Sequence, residues 1–160
     1  GPLTNPAGAP RQLMGVFDKK LVTPIAQVLG DLGSERAWVV HGGDGVDELT
    51  ICQESYVGFW NGEQVESITL HPEEVGLTLH PAGSMAGGSP EENAKTMRAI
   101  LGGSERGPLF DAVALNAGAA LFVAEDTPTL KGGITKASEL MQSGAPLKVI
   151  EALAAATNTE

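Results

Sequence analysis

The residues best suited to chemistry lie in one short stretch, "HGGDGVDE", His41 to Glu48. It gathers the carboxylates of Asp44, Asp47 and Glu48 directly after the apolar run "AWVV". Carboxylates at the end of a buried segment are costly unless solvent, a cation or a bound ligand faces them. Adjacent side chains on a regular strand point to opposite faces, whereas a loop that turns at Gly45 can aim Asp47 and Glu48 at one point. A small set of hard oxygen donors suits Mg2+, which keeps several waters and bridges to substrate phosphates. It does not suit zinc, which takes clustered His and Cys. The competing reading is a solvated turn ahead of the next strand.

The remaining candidates carry less. The glycine clusters "AGGS", "LGGSERG" and "LKGG" have neither the phosphate-loop spacing nor the dinucleotide fingerprint. "AGGSPEE" opens a helix whose free N–H groups suit an anion, but Glu91 and Glu92 already fill that electrostatic role. His71 and His80 each precede proline and read as surface turn residues. His41 ends a strand and reads as an orienting partner for the acidic loop, a catalytic base being the weaker alternative. Cys52 has no basic or histidine neighbour in sequence and reads as a packed thiol.

The elements that must position these groups follow from apolar spacing. "RQLMGVF" (11–17) reads as a strand, and Leu21, Ile25, Val28, Leu29 and Leu32 recur at helical spacing up to Gly33. "RAWVVHG" (36–42) is a second strand without alternation, as in a parallel sheet covered on both faces. "LTICQ" (49–53) and "YVGFWNGEQVESITL" (56–70) read as further strands, with Asn61-Gly62 as a hairpin turn. Ser89, Pro90 and Glu92 form a helix start with a capping box, and that helix stops at Gly102-Gly103. "GPLFDAVALNAGAALFVA" reads as a helix closely packed on all sides, followed by helices over 129–142 and 146–156. The expected fold is α/β: a predominantly parallel sheet with an antiparallel hairpin, flanked by helices. The acidic loop then falls at the carboxyl ends of the parallel strands, where open α/β sheets bind ligands.

Composition limits the function classes. Ten basic against twenty acidic residues give a net charge of −10, which opposes non-specific nucleic-acid binding. It does not oppose a phosphorylated ligand whose charge is carried by a metal ion. No apolar stretch approaches the roughly 20 residues that span a bilayer, so no membrane role is expected. The opening residues have neither the basic start nor the apolar middle of a signal peptide. With one cysteine, the cytoplasm is the default compartment. "GPLTNPAGAP" continues as a loop with two further prolines, so the chain reads as starting inside a larger protein, a tag remnant at Gly1-Pro2 being the alternative.

Taken together, "GPLTNPAGAPRQLMGV", "AWVVHGGDGVDELT", "SPEENAKTMRAIL" and "DAVALNAGAALFVA" resemble the C-terminal half of the anthranilate phosphoribosyltransferase family. The resemblance covers essentially the whole chain, with its motifs in order. It implies the catalytic-domain fold of nucleoside phosphorylases and phosphoribosyltransferases, incomplete at its start. It implies transfer of phosphoribose from phosphoribosyl pyrophosphate to the amine of anthranilate in tryptophan biosynthesis, with Mg2+. Carried over by position, Asp47 and Glu48 would bind the metal on the diphosphate, and Gly1 and Pro2 would line the anthranilate pocket. No catalytic residue is assigned. The family's phosphate-cradling glycine loop and its helical dimerisation domain fall outside these residues, so a homodimer is expected of the full-length protein and little activity of this stretch alone. Two other readings stay open: a pyrimidine nucleoside phosphorylase-like enzyme, and a non-catalytic nucleic-acid-binding relative, which the acidity opposes.

Overall fold

The computed structural model describes Leu3 and residues 7–157. Four strands, β1 (Arg11–Gly15), β2 (Arg36–Gly42), β3 (Ser55–Trp60) and β4 (Val65–Leu70), form one sheet in the order β1-β2-β3-β4. β1 and β2 are parallel, joined through helix α1 (Val22–Asp31), which makes the expected βαβ unit. β2–β3 and β3–β4 are antiparallel, so the sheet is mixed and its parallel part is the β1–β2 junction. Four further helices follow the sheet in the chain: α2 (Pro90–Leu101), α3 (Pro108–Val123), α4 (Leu130–Ser143) and α5 (Ala145–Thr157).

β2 explains why its sequence shows no polar alternation. Ala37 and Val39 face α1, where they join Val16, Val22, Ala26 and Leu29 in one core. Trp38 and Val40 face the other side and join the larger core with residues of α3 and α4, including Phe110, Leu115 and Ile134. A strand covered on both faces needs apolar residues at both parities. β4 lies at the sheet edge with Glu66, Ser67 and Thr69 exposed, the half-solvated pattern of an antiparallel hairpin.

The alanine-rich α3 packs closely on α4. A Cβ at Gly118 would overlap the backbone of Ile134, and one at Gly133 would overlap the carbonyl of Gly118. Small residues are therefore what let the two helix axes approach. α2 begins as its sequence indicates: the Ser89 hydroxyl accepts from the Glu92 N–H, and the Glu92 carboxylate accepts from the Ser89 N–H at 2.8 Å.

One element differs from expectation. Residues 49–53 form no strand, although Leu49, Thr50, Ile51 and Cys52 are buried. Side chains take the place of a ladder. The Thr50 N–H donates to Ser55 Oγ at 2.9 Å, and the Cys52 N–H donates to Thr50 Oγ1 at 3.0 Å. Apolar density in "LTICQ" signalled burial, but its backbone is satisfied by side chains instead of by a neighbouring strand.

Candidate metal and ligand site

The acidic loop begins where β2 ends, at the same edge of the sheet as the carboxyl end of β1. Its first turn is closed by backbone bonds from the Gly42 N–H to Val46 O and from the Gly45 N–H to Gly42 O, both 2.9 Å. Gly45 has φ +93°, a conformation that other residues adopt only under strain. His41, buried at the end of β2, pairs its Nδ1 with the Val16 carbonyl at 2.9 Å. It thus ties the end of β2 to the residue that follows β1 at the root of the loop; this bond goes to Val16 and not to the acids it was expected to orient.

The three acids of the loop divide into two kinds. Asp44 is used internally: its Oδ2 accepts from Thr50 Oγ1 at 2.9 Å, while Oδ1 is buried without a hydrogen-bond partner among the described residues. Asp47 and Glu48 are exposed, and among the described residues their carboxylates carry no ion pair or hydrogen bond. Both border a cavity of about 670 Å³. Gly15, at the end of β1, borders it too, and a Cβ there would overlap the Asp47 carbonyl oxygen. Close backbone approach between β1 and the loop therefore sets where the acidic pair sits.

Around the acids the cavity is mostly apolar, with Leu13 and Val40 from the sheet and Ile100 and Leu109 from α2 and α3. Its polar groups are Asn93 and Thr96 on α2 and Asn116 on α3. Asn116 was not singled out by the sequence, although it sits inside the motif "DAVALNAGAALFVA". Its Oδ1 accepts from the Leu49 N–H at 3.0 Å and its Nδ2 donates to the Leu49 carbonyl at 2.9 Å. A polar residue in an otherwise alanine- and leucine-rich stretch of helix was the available signal, but its partner lies 67 residues away.

His80 also departs from expectation. Its Nε2 pairs with Asp111 Oδ2 on α3 at 2.8 Å, and its N–H donates to the Ile51 carbonyl at 2.8 Å. It is a half-buried tie between the 80–89 loop and α3, whereas His71 is an exposed residue ahead of a short 3-10 turn, as expected. Cys52 is buried and its thiol donates to the Pro81 carbonyl at 3.3 Å, which fits a packed thiol.

The helix start at Ser89 is occupied by its own side chains. Hydrogen bonding from the Ser89 backbone N–H, then from its hydroxyl, holds the Glu92 carboxyl below the usual glutamate range. Asn93 Oδ1 takes the Gly88 N–H at 2.8 Å. Beside the acidic loop, the Tyr56 hydroxyl donates to Glu54 at 2.8 Å and is the main cause that lowers the Glu54 carboxyl. Gly1 and Pro2 lie outside the described residues.

Asp47 and Glu48 fit a hard divalent cation by chemistry: paired, unengaged carboxylates on the wall of an open cavity. Among the described residues no three His, Cys, Asp or Glu side chains cluster closely enough to enclose a metal. A cation held here would rely on waters or ligand oxygens for its other positions, which Mg2+ tolerates and structural zinc does not.

Residues 1–147 match the family model described as "Glycosyl transferase family, a/b domain". The chain belongs to that family. Within this glycosyl transferase family, it is 46% identical over 151 residues to the anthranilate phosphoribosyltransferase of Rubrobacter xylanophilus, covering 94% of this chain and 44% of that protein. It is 48% identical over 153 residues to the enzyme of the same name from Phenylobacterium zucineum, covering 96% and 45%. The crystal structure of anthranilate phosphoribosyltransferase from Thermus thermophilus superposes with a TM-score of 0.86 at 46% identity, over 94% of this chain and 44% of that one. The Saccharomyces cerevisiae enzyme in complex with PRPP and Mg gives 0.82 at 27% identity, with the same shares. The chain thus spans less than half the length of the relatives it matches. No helix among the described residues is long and apolar enough to cross a membrane.

Proposed function

We propose that this chain supplies the C-terminal part of the catalytic α/β domain of an anthranilate phosphoribosyltransferase, with Asp47 and Glu48 holding Mg2+ on the diphosphate of phosphoribosyl pyrophosphate. The observation that carries this reading is the exposed acidic pair, without a partner among the described residues, on the cavity wall at the carboxyl ends of the parallel strands. The relatives of that name, and the yeast structure containing PRPP and Mg, support the substrate and the metal. No observation favours phosphate and a nucleoside as substrates.

In this reaction the bond from ribose C1 to the pyrophosphate oxygen breaks, a bond from C1 to the anthranilate nitrogen forms, and the amine loses a proton. Negative charge grows on the departing pyrophosphate while the ribose gains oxocarbenium character. Mg2+, when bound, supplies charge neutralisation and a template for the diphosphate. Asp47 and Glu48 supply the fixed negative charge that retains the cation at this edge. The turn through Gly42 and Gly45 and the contact at Gly15 hold the backbone that carries both carboxylates, so the chain itself needs little reorganisation when substrate arrives. The apolar walls from Leu13, Val40, Ile100 and Leu109 exclude water and strengthen every charge interaction inside.

The same reading places Gly1 and Pro2 against anthranilate, and has the full-length protein act in the cytoplasm as a homodimer in tryptophan biosynthesis. These extensions rest on the family resemblance. The test is turnover of anthranilate with phosphoribosyl pyrophosphate by the natural full-length protein, across a Mg2+ titration. Product formation that saturates with Mg2+ and collapses in the Asp47→Asn, Glu48→Gln double variant is expected. Turnover of thymidine with phosphate instead of anthranilate would contradict it.

A further inference from the structure

We infer that Asn116 is a positioning residue for the acidic pair: its amide fixes the chain directly after Asp47 and Glu48, and so determines where those carboxylates can meet a divalent cation. The inference rests on the reading of Asp47 and Glu48 as metal ligands and extends it to a residue on another element.

Asp47 and Glu48 sit between two anchors. On the upstream side the Gly42 N–H holds Val46 O, so the turn closes immediately before Asp47. On the downstream side the anchor is Leu49, whose N–H and carbonyl are both taken by Asn116. A third bond, from Nδ2 to the Ala112 carbonyl at 3.0 Å, fixes the amide on its own helix. Leu49 has no strand neighbour to do this work, and its side chain is completely buried.

The residue type follows from the task. A side-chain amide presents an acceptor and a donor in one plane, so it can meet both polar groups of a single residue as a neighbouring strand would. Aspartate could accept from the Leu49 N–H but would leave the carbonyl without a donor. Alanine would leave both groups to water or unpaired. Asn116 also borders the cavity that the acids line, so loss of the clamp would be felt at the site and not only in the core. Groups that orient metal ligands from behind contribute about 10- to 100-fold to metal affinity or activity.

The test uses the natural full-length protein and two readouts that do not depend on turnover. Mn2+ binding in the presence of phosphoribosyl pyrophosphate, followed by electron paramagnetic resonance, is expected to weaken about tenfold in Asn116→Ala. In the metal-free protein the Leu49 amide is expected to exchange its hydrogen faster in that variant, while Val39 and Val40 in β2 keep their protection. Val123→Ala, on the same helix but outside the cavity lining, controls for general loosening of α3 and is expected to bind Mn2+ as the unmodified protein does. Asn116→Asp adds a test of sign, and serves if the alanine variant does not fold. Its extra negative charge alone would tighten cation binding, whereas a broken clamp weakens it. Unchanged Mn2+ affinity in Asn116→Ala, tighter binding in Asn116→Asp, an unaltered Leu49 amide, or equal weakening in Val123→Ala would each overturn the inference. If Asp47→Asn weakens Mn2+ binding while the Asn116 variants do not, only the positioning role is lost. If Asp47→Asn leaves binding intact, the metal reading itself is wrong.

Discussion

The two ends of the β1–β2 pair treat charge in opposite ways. At the amino ends, Arg11 pairs with Glu125 at 2.6 Å and Glu35 at 3.3 Å, and Arg36 reaches Glu125 at 3.6 Å. The Arg36 guanidinium also lies between the rings of Phe59 and Phe122, 4.8 Å from each centroid. At the carboxyl ends, Asp47 and Glu48 are left without a partner among the described residues, in a loop whose backbone is closed by hydrogen bonds. Charges at one end hold the fold together. Those at the other are held in place by the fold and remain available to something outside it.

That contrast can be broken at several points, and the largest effect is expected at the open end. Asp47→Asn is predicted to lower Mg2+-dependent turnover on the order of a hundredfold or more, since a metal's charge stabilisation is worth several kcal/mol. Its melting temperature should stay near that of the unmodified protein, because among the described residues the carboxylate makes no hydrogen bond or ion pair. Steady-state kinetics beside a thermal melt separate the two quantities. Gly15→Ala ranks next and should affect both, since its Cβ must displace the Asp47 carbonyl. Overpacking of this kind costs about 1–3 kcal/mol, read as a lower denaturant midpoint together with weaker metal binding.

At the paired end the prediction reverses. Arg36→Ala removes a cation stacked between two rings and an ion pair, and should cost about 1–2 kcal/mol of stability. The Mg2+ dependence of turnover should be unchanged, and a shift in it would show that the two ends are coupled. The smallest effect belongs to the cap of α2, which touches neither the acidic pair nor the arginine cluster. Ser89→Ala removes a helix cap worth about 1 kcal/mol. The Glu92 carboxyl in that cap is held below its usual range, so its contribution is present at neutral pH and lost as pH falls through the acidic range below the ordinary glutamate value. The gap between Glu92→Gln and the unmodified protein should therefore narrow in chemical denaturation on moving from pH 7 to strongly acidic pH, whereas Ser89→Ala keeps the backbone N–H that is the main cause of the shift.

What could be read in the sequence follows the range of the interactions involved. The β1–α1–β2 unit, the hairpin at Asn61-Gly62, the Ser89 cap and the three later helices were legible because spacing and capping are local. The balance between parallel and antiparallel pairing was not, since it depends on where β3 returns after the acidic loop. Residues 49–53 look like a strand in the sequence because burial and β-pairing leave the same apolar trace, and it is the bonds to Ser55 and Asn116 that tell them apart. The same limit applies at the site. Asp47 and Glu48 stand out as adjacent acids after a strand and glycines, whereas Asn116 acts across 67 positions and leaves no pattern. The pairing of His80 with Asp111 was hidden for that reason as well.

The most direct measurement is calorimetric titration of Mg2+ with phosphoribosyl pyrophosphate into the natural full-length protein, compared with its Asp47→Asn, Glu48→Gln double variant. The predicted result is saturable, metal-dependent binding of the diphosphate that disappears in the variant while its folding transition is retained. Equal affinity in the two proteins would contradict the assignment of this acidic pair to the metal.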